Sequence, residues 1–272
     1  MQLAVFRIGN KSIAPRTIMI ELLTAVAPRH QKYVSLGDVR MLCLKCLDSA
    51  IMSTDECQPL FEDIQDFYEG LNMKVEINFP LLLVERSALN DAVDAENAHT
   101  LHTLPEIRGI CSSVELTVPA IVRKPRRVGN LFTGIGIKRT RLGTAKVTGI
   151  LVLFGYPRLL CGEILAHEMM HAWFRQNGYS SNMRDEIEEG MAEVLAHMWL
   201  ESEMEAGNGG SRSSRKGQRS LFEKELGRFF KENIEKNQNE VYGGGFRAGY
   251  QAVKRHGLRD TLQHIKETGD LP

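Results

Sequence analysis

Leu165-Ala166-His167-Glu168-Met169-Met170-His171-Ala172-Trp173 is the stretch on which the reading of this chain turns. An α-helix advances about 100° per residue, so His167 and His171 leave one face of a helix close enough to grip a single ion. Paired imidazoles at that spacing suit Zn2+, and the carboxylate of Glu168 beside them can take a proton from a water that attacks a peptide bond. The setting favours a metal site over two core histidines. Leu159, Ile164, Leu165, Met169, Ala172 and Trp173 make Arg158 to Asn177 one amphipathic helix, which Gly178 stops.

A catalytic zinc takes three protein ligands and keeps one position open. The next predicted helix, about Arg184 to Glu203, opens on Asp185 and Glu188 spaced as a capping box and offers Glu189 as the third ligand. Gly190 follows it, and a glycine there would let two helices approach closely around the ion. Glu188 is the nearest competitor. Glu189, Glu193 and His197 recur every four residues as a polar stripe beside an apolar one. Glu193, one turn past Glu189, can accept the ring N–H of a ligating histidine and fix its tautomer. An oxyanion also needs a donor, and Tyr242, Arg247, His256 and His264 are the candidates, with Tyr242 taken first.

Working outward, 272 residues can bury an ample core without covalent staples. The balance of 34 Lys and Arg against 34 Asp and Glu argues against a nucleic-acid or membrane-surface binder. No run of eighteen apolar residues and no signal-peptide pattern occurs, which predicts a soluble intracellular protein with no membrane span. Cys43, Cys46, Cys57, Cys111 and Cys161 form no disulfide-like framework. Cys43 and Cys46 have the spacing of half a structural zinc site, which His30 or Cys57 could complete; two free thiols are the other reading.

Helices are predicted over Asp55–Asn72, Ser87–Glu96, Gln218–Lys236, Phe246–His256 and Leu258–Glu267, the fourth preceded by a Gly243-Gly244-Gly245 turn. Lys32–Leu36, Lys74–Glu85, Glu115–Val122, Thr133–Lys138 and Val147–Phe154 read as strands. Pro80 marks the second of these as an edge strand or a bent one. Arg123-Lys124-Pro125-Arg126-Arg127 is either an anionic or targeting patch or a solvated loop, and Ala206–Gly217 reads as a flexible surface loop.

The helix from Leu165 to Trp173, Glu188-Glu189-Gly190 and Leu195-Ala196-His197-Met198-Trp199-Leu200 resemble the C-terminal peptidase region of the plant DA-one family. So do Leu42 to Ala50, Phe67 to Glu76, Pro80 to Arg86 and Gly245 to Gly249, over about Pro28 to Pro272. The resemblance implies a ubiquitin-activated, LIM-domain zinc metallopeptidase that limits seed and organ growth. It implies protein substrates: ubiquitin ligases, a deubiquitinase and transcription factors. A cytoplasmic or nuclear place goes with them. More distantly, Glu189-Gly190 is similar to the gluzincin pattern, which supports Glu189 over Glu188. Cys43 and Cys46 would end a LIM-like zinc module.

Met1 to about Ala27 resembles neither the ubiquitin-interacting motifs nor the start of a LIM domain, so ubiquitin recognition is not expected from it. Glu193 stands where relatives commonly carry Gln, and Gly244 where an acidic residue is usual. The expected organisation is an uncertain leader over 1–27, a LIM-like remnant over 28–57 and a peptidase domain over 58–272. The expected fold is α+β and zincin-like: a small mixed or antiparallel sheet, an active-site helix and C-terminal helices. The alternative to an enzyme is a catalytically weak adaptor that binds family partners through its LIM remnant.

Overall fold

The apolar run before the histidine helix becomes an inner strand of the sheet, and its surroundings organise the rest. The computed structural model describes residues 33–38, 40–96, 107–143, 145–180, 183–206 and 220–272, together with the backbone of two short paired strands, β1 (Phe6–Ile8) and β2 (Lys11–Ile13). His30, nearly all of the leader and the 206–217 loop beyond Ala206 lie outside the described residues.

In chain order follow β3 (Tyr33–Ser35), β4 (Met41–Cys43), α1 (Leu44–Asp48), β5 (Ala50–Ile51), α2 (Thr54–Gly70), β6 (Leu81–Val84) and α3 (Arg86–Glu96). Next are β7 (Gly109–Ser112), β8 (Thr117–Arg123), β9 (Arg126–Val128), β10 (Leu131–Thr133), β11 (Gly136–Arg141), β12 (Gly149–Leu153) and β13 (Tyr156–Pro157). The remainder is helical: α4 (Arg158–Gln176), α5 (Asp185–Ala206), α6 (Leu221–Glu235), a π-helical turn (Glu240–Gly244), α7 (Gly245–His256) and α8 (Leu258–Thr268).

The main sheet has five strands in the order β11-β8-β6-β12-β7, with β6 and β12 parallel and the other pairs antiparallel. The protein is thus a mixed α/β chain. All five residues of β12 are buried, as a strand covered on both faces requires, and this explains its unbroken apolar run. Two expectations for the segment around Pro80 are corrected. Lys74–Pro80 forms no strand; Val75 and Phe79 are buried by packing, without ladder partners. Pro80 does not mark an edge either, since β6 lies between β8 and β12. The proline stands just before the strand, where its missing N–H breaks no ladder bond, and its carbonyl accepts the Ile150 N–H at 3.0 Å.

After β12 the chain turns at Gly155, with φ +83°, and Pro157 leads directly into α4. The helix is held from beneath by α2, where the buried Tyr68 hydroxyl donates to the Ala166 carbonyl at 2.6 Å. Buried Arg40 ties the β3–β4 hairpin to the same turn. It donates to the Phe154 carbonyl at 2.7 Å and places its guanidinium over the Phe154 and Tyr156 rings. The expected 57/58 boundary falls inside α2, and residues on both sides of it share one core. No helix among the described residues is long and apolar enough to cross a membrane.

Helix α5 crosses α4 with Trp199 seated on Gly162, where any side chain would enter the indole ring. A second close approach corrects the role expected of Gly190. It faces Gly245 at the start of α7 rather than the histidine helix, and a Cβ on Gly190 would fall 2.4 Å from the Gly245 carbonyl carbon. The smallness expected beside Glu189 therefore serves the C-terminal segment, whose π-helical turn is brought against α5.

Candidate metal centre

Helical spacing sets His167 and His171 one turn apart on α4, and α5 lays Glu189 across them. The Nε2 atoms of His167 and His171 are 3.2 Å apart, and Glu189 Oε2 lies 3.1 Å from the first and 3.6 Å from the second. A triangle with those sides has its centre about 1.9 Å from each corner, close to the zinc bond lengths of about 2.0–2.2 Å. These three residues form the one such group of His, Cys, Asp or Glu among the described residues that could hold a metal ion.

The other nitrogen of each ring has a carboxylate of its own. Glu188 Oε1 is 2.9 Å from His171 Nδ1, and Glu193 Oε1 is 3.6 Å from His167 Nδ1. Glu188, read from sequence as the competing ligand and as half of a capping box, thus orients His171 instead. The Glu188 hydrogen bond fixes the His171 tautomer that leaves Nε2 free to ligate, while Glu193 sits beside His167 Nδ1 beyond hydrogen-bond distance. His197, third in the four-residue stripe, is not at the centre. Its ring packs against Phe246 and Tyr250, with Nε2 2.9 Å from Glu235.

Glu168 turns the other way, towards the edge strand β7. Gly109 of that strand packs directly against its side chain, and the Cys111 backbone N–H bonds its carboxylate. Arg175, about two turns further on, donates to the Cys111 carbonyl and so holds strand to helix. Of the four proposed oxyanion donors, Tyr242 is the one with a recorded contact at the cluster, its ring stacked over His167 at 6.5 Å between centroids. Arg247 instead donates to the Asn237 carbonyl.

Charge around the cluster is predominantly negative. Burial works against ionisation of His171, yet Glu189 and Glu188 prevail and raise its pKa well above the ordinary histidine range; His167 is raised too, through Glu189 and Glu193. Glu189 is held well below the usual carboxylate range despite its burial, because the two imidazoles face it. Burial pushes Glu168 and Glu193 up. Buried carboxylates in excess over fixed cations make a place that favours a bound cation. Tyr242 is raised by burial and by those carboxylates, so its hydroxyl stays protonated and able to donate.

Glu163, one turn before His167, was not singled out from sequence. Its Oε2 is buried without a hydrogen-bond partner among the described residues, and burial pushes its pKa up to about 8. Between the ordinary value of 4.5 and about 8, the folded chain holds a proton that the unfolded chain releases. That contribution is complete below the lower value and is lost as pH rises through the upper. Chelator-treated Glu163→Gln should therefore match the wild type near the lower value and exceed its stability by about 1–3 kcal/mol above the upper one. Urea titrations at the two pH values measure this, and a difference that does not grow with pH counts against it.

The cysteine half-site is less complete. Cys43 Sγ accepts the Cys46 N–H at 3.4 Å and caps α1, and a hydrogen bond from the Cys46 thiol, more than this backbone bond, draws the Cys43 thiol down to about 6 against its burial. Cys57 does not converge with Cys43 and Cys46 into a metal-binding group among the described residues; its sulfur lies 3.7 Å from that of Cys161.

Comparison with known proteins places this geometry in a family. The family model described as DA1-like, Protein DA1, matches residues 70–268, well over half of the chain and all of the cluster. The chain belongs to the DA1-like family. Its DA1-like relatives include Protein DA1-related 1 of Arabidopsis thaliana, 54% identical over an alignment of 265 residues that covers 90% of this chain and 46% of that protein. Protein DA1 of the same plant is 50% identical over 259 residues, 90% of this chain and 48% of its own length. A third, LIM domain-containing protein HDR3 of Oryza sativa subsp. japonica, is 48% identical over 263 residues, 90% of this chain and 52% of that one. The chain thus spans about half the length of these DA1-like relatives. No solved structure matches it.

Proposed function

We propose that this DA1-like chain is a zinc-dependent endopeptidase with a gluzincin-type site, cutting intracellular protein regulators of cell proliferation and organ growth in connection with ubiquitin signalling. One observation carries the reading: two Nε2 atoms and one carboxylate oxygen converge at zinc-ligand spacing, while separate carboxylates back both Nδ1 atoms. Bound zinc would polarise the scissile carbonyl and make water nucleophilic near neutral pH. His167, His171 and Glu189 would hold it. Glu168 takes a proton from the attacking water and passes it to the leaving amine, a role suited to a carboxyl that burial raises above its ordinary range. Glu188 and Glu193 keep the imidazoles in register, and Tyr242 donates its hydroxyl to the oxyanion. Family membership supports the reading of growth-regulator substrates and a link to ubiquitin, and with it a LIM-like remnant over 28–57.

Zinc content and casein cleavage test this. The wild type should bind one zinc equivalent at this centre and lose cleavage on chelation, and Glu189→Ala should fail to retain that equivalent. Glu188→Ala should keep it with affinity weakened about 10- to 100-fold, as expected for a residue that orients a ligand. A wild type that takes up no zinc, or cleaves equally after chelation, sinks the reading. A reversed order of Glu188 and Glu189 exchanges their roles.

A further inference from the structure

The basic run Arg123-Lys124-Pro125-Arg126-Arg127 has no part in the metal centre, but the fold gives it a setting. Strand β8 ends at Arg123, β9 and β10 form a hairpin tip, and β11 returns antiparallel along β8, so residues 117–141 make one β-arm. The arm contains seven Lys and Arg and no Asp or Glu, in a chain whose formal net charge is zero. Lys124 meets Glu56 and Arg141 meets Glu115. Arg123, Arg126, Arg127, Lys138 and Arg139 face no carboxylate among the described residues.

β11 ends the five-stranded sheet and pairs, among the described residues, with β8 alone. The ladder continues through the Leu142 N–H to Leu116 carbonyl bond at 2.8 Å. By alternation, Lys138 and Thr140 turn their backbone groups towards β8, and Ile137, Arg139 and Arg141 turn theirs outward. Cations on an edge strand often act merely as a guard against pairing. Such a guard has no use for exposed aliphatic side chains, yet three of the five large exposed hydrophobics among the described residues, Val128, Leu131 and Ile137, lie on this arm. A nucleic acid would use the charge but neither the strand edge nor those side chains.

We propose that the outer edge of β11 docks an extended acidic segment of a partner protein, added as a further strand. Its backbone pairs with Ile137, Arg139 and Arg141, its carboxylates meet the uncompensated cations, and an aliphatic side chain covers Ile137. Because β7, the strand against Glu168, is the opposite edge of the sheet, this surface is separate from the metal centre. The probe is a fluorescein-labelled octapeptide of Glu with a single Val near one end, which offers carboxylates to both faces of β11 and an aliphatic side chain to Ile137, followed by anisotropy on the full chain. Binding should fall by about tenfold or more for the double variant Lys138→Glu, Arg139→Glu, and likewise for a peptide N-methylated at alternate residues. Casein cleavage by the double variant should stay at the wild-type level. The proposal is overturned if the parent peptide does not bind or the N-methylated peptide binds as tightly. It is equally overturned if an oligothymidylate of equal charge displaces the peptide as well as unlabelled peptide does.

Discussion

Glu168→Gln is expected to lower the turnover of casein by about 10²–10⁴-fold while the protein keeps its fold and its zinc. The substitution preserves the volume and leaves an oxygen to accept the Cys111 N–H, so the β7 contact survives. Glu168 is not among the three converging donors, so metal content should not change. What is lost is the capacity to take a proton. A barrier increase of about 3–5 kcal/mol corresponds to that range. Zinc content, circular dichroism and kcat measured on one preparation decide the matter. Wild-type turnover in this variant removes Glu168 from the reaction, and loss of zinc along with turnover recasts it as a structural acid.

Trp199→Ala is expected to cost about 3–5 kcal/mol, a large part of the roughly 5–15 kcal/mol that holds a domain together. Trp199 is 1% exposed and fills the crossing of α5 over α4, where Gly162 leaves room for the ring. Removing the indole leaves a cavity between the two helices that carry His167, His171 and Glu189. Gly162→Ala attacks the same contact from the other side: its methyl would stand 2.0 Å from a ring carbon, and it should cost about 1–3 kcal/mol. Urea unfolding gives both values from the shift in midpoint at constant slope. A Trp199→Ala midpoint close to wild type would mean that the crossing is held elsewhere.

The amphipathic helices were legible because a helix that buries one face repeats its apolar residues at a fixed spacing. Arg158–Gln176 and Thr54–Gly70 lie within two residues of their predicted bounds. Spacing also placed two histidines on one face. It could not reveal which groups lie across from them. Glu188 and Glu189 are adjacent, and only the roll of α5 against α4 sends one to Nδ1 and the other to the Nε2 pair. Gly190 was legible as a close approach but not its neighbour, since a missing side chain says nothing about what fills the space. Pro80 misled for a similar reason. Its lost N–H matters only inside a ladder, and the ladder begins one residue later.

The contact of Gly190 with Gly245 has a consequence beyond packing. Glu189 is the immediate neighbour of Gly190, and Tyr242 lies three residues before Gly245, so one backbone crossing positions both a metal donor and the ring over His167. Occupancy of the centre and docking of the C-terminal helices are then linked equilibria. Whatever factor the ion adds to the docking constant, docking must return to the affinity for the ion, so loosening the chain's last thirty residues weakens its hold on the metal without touching a ligand.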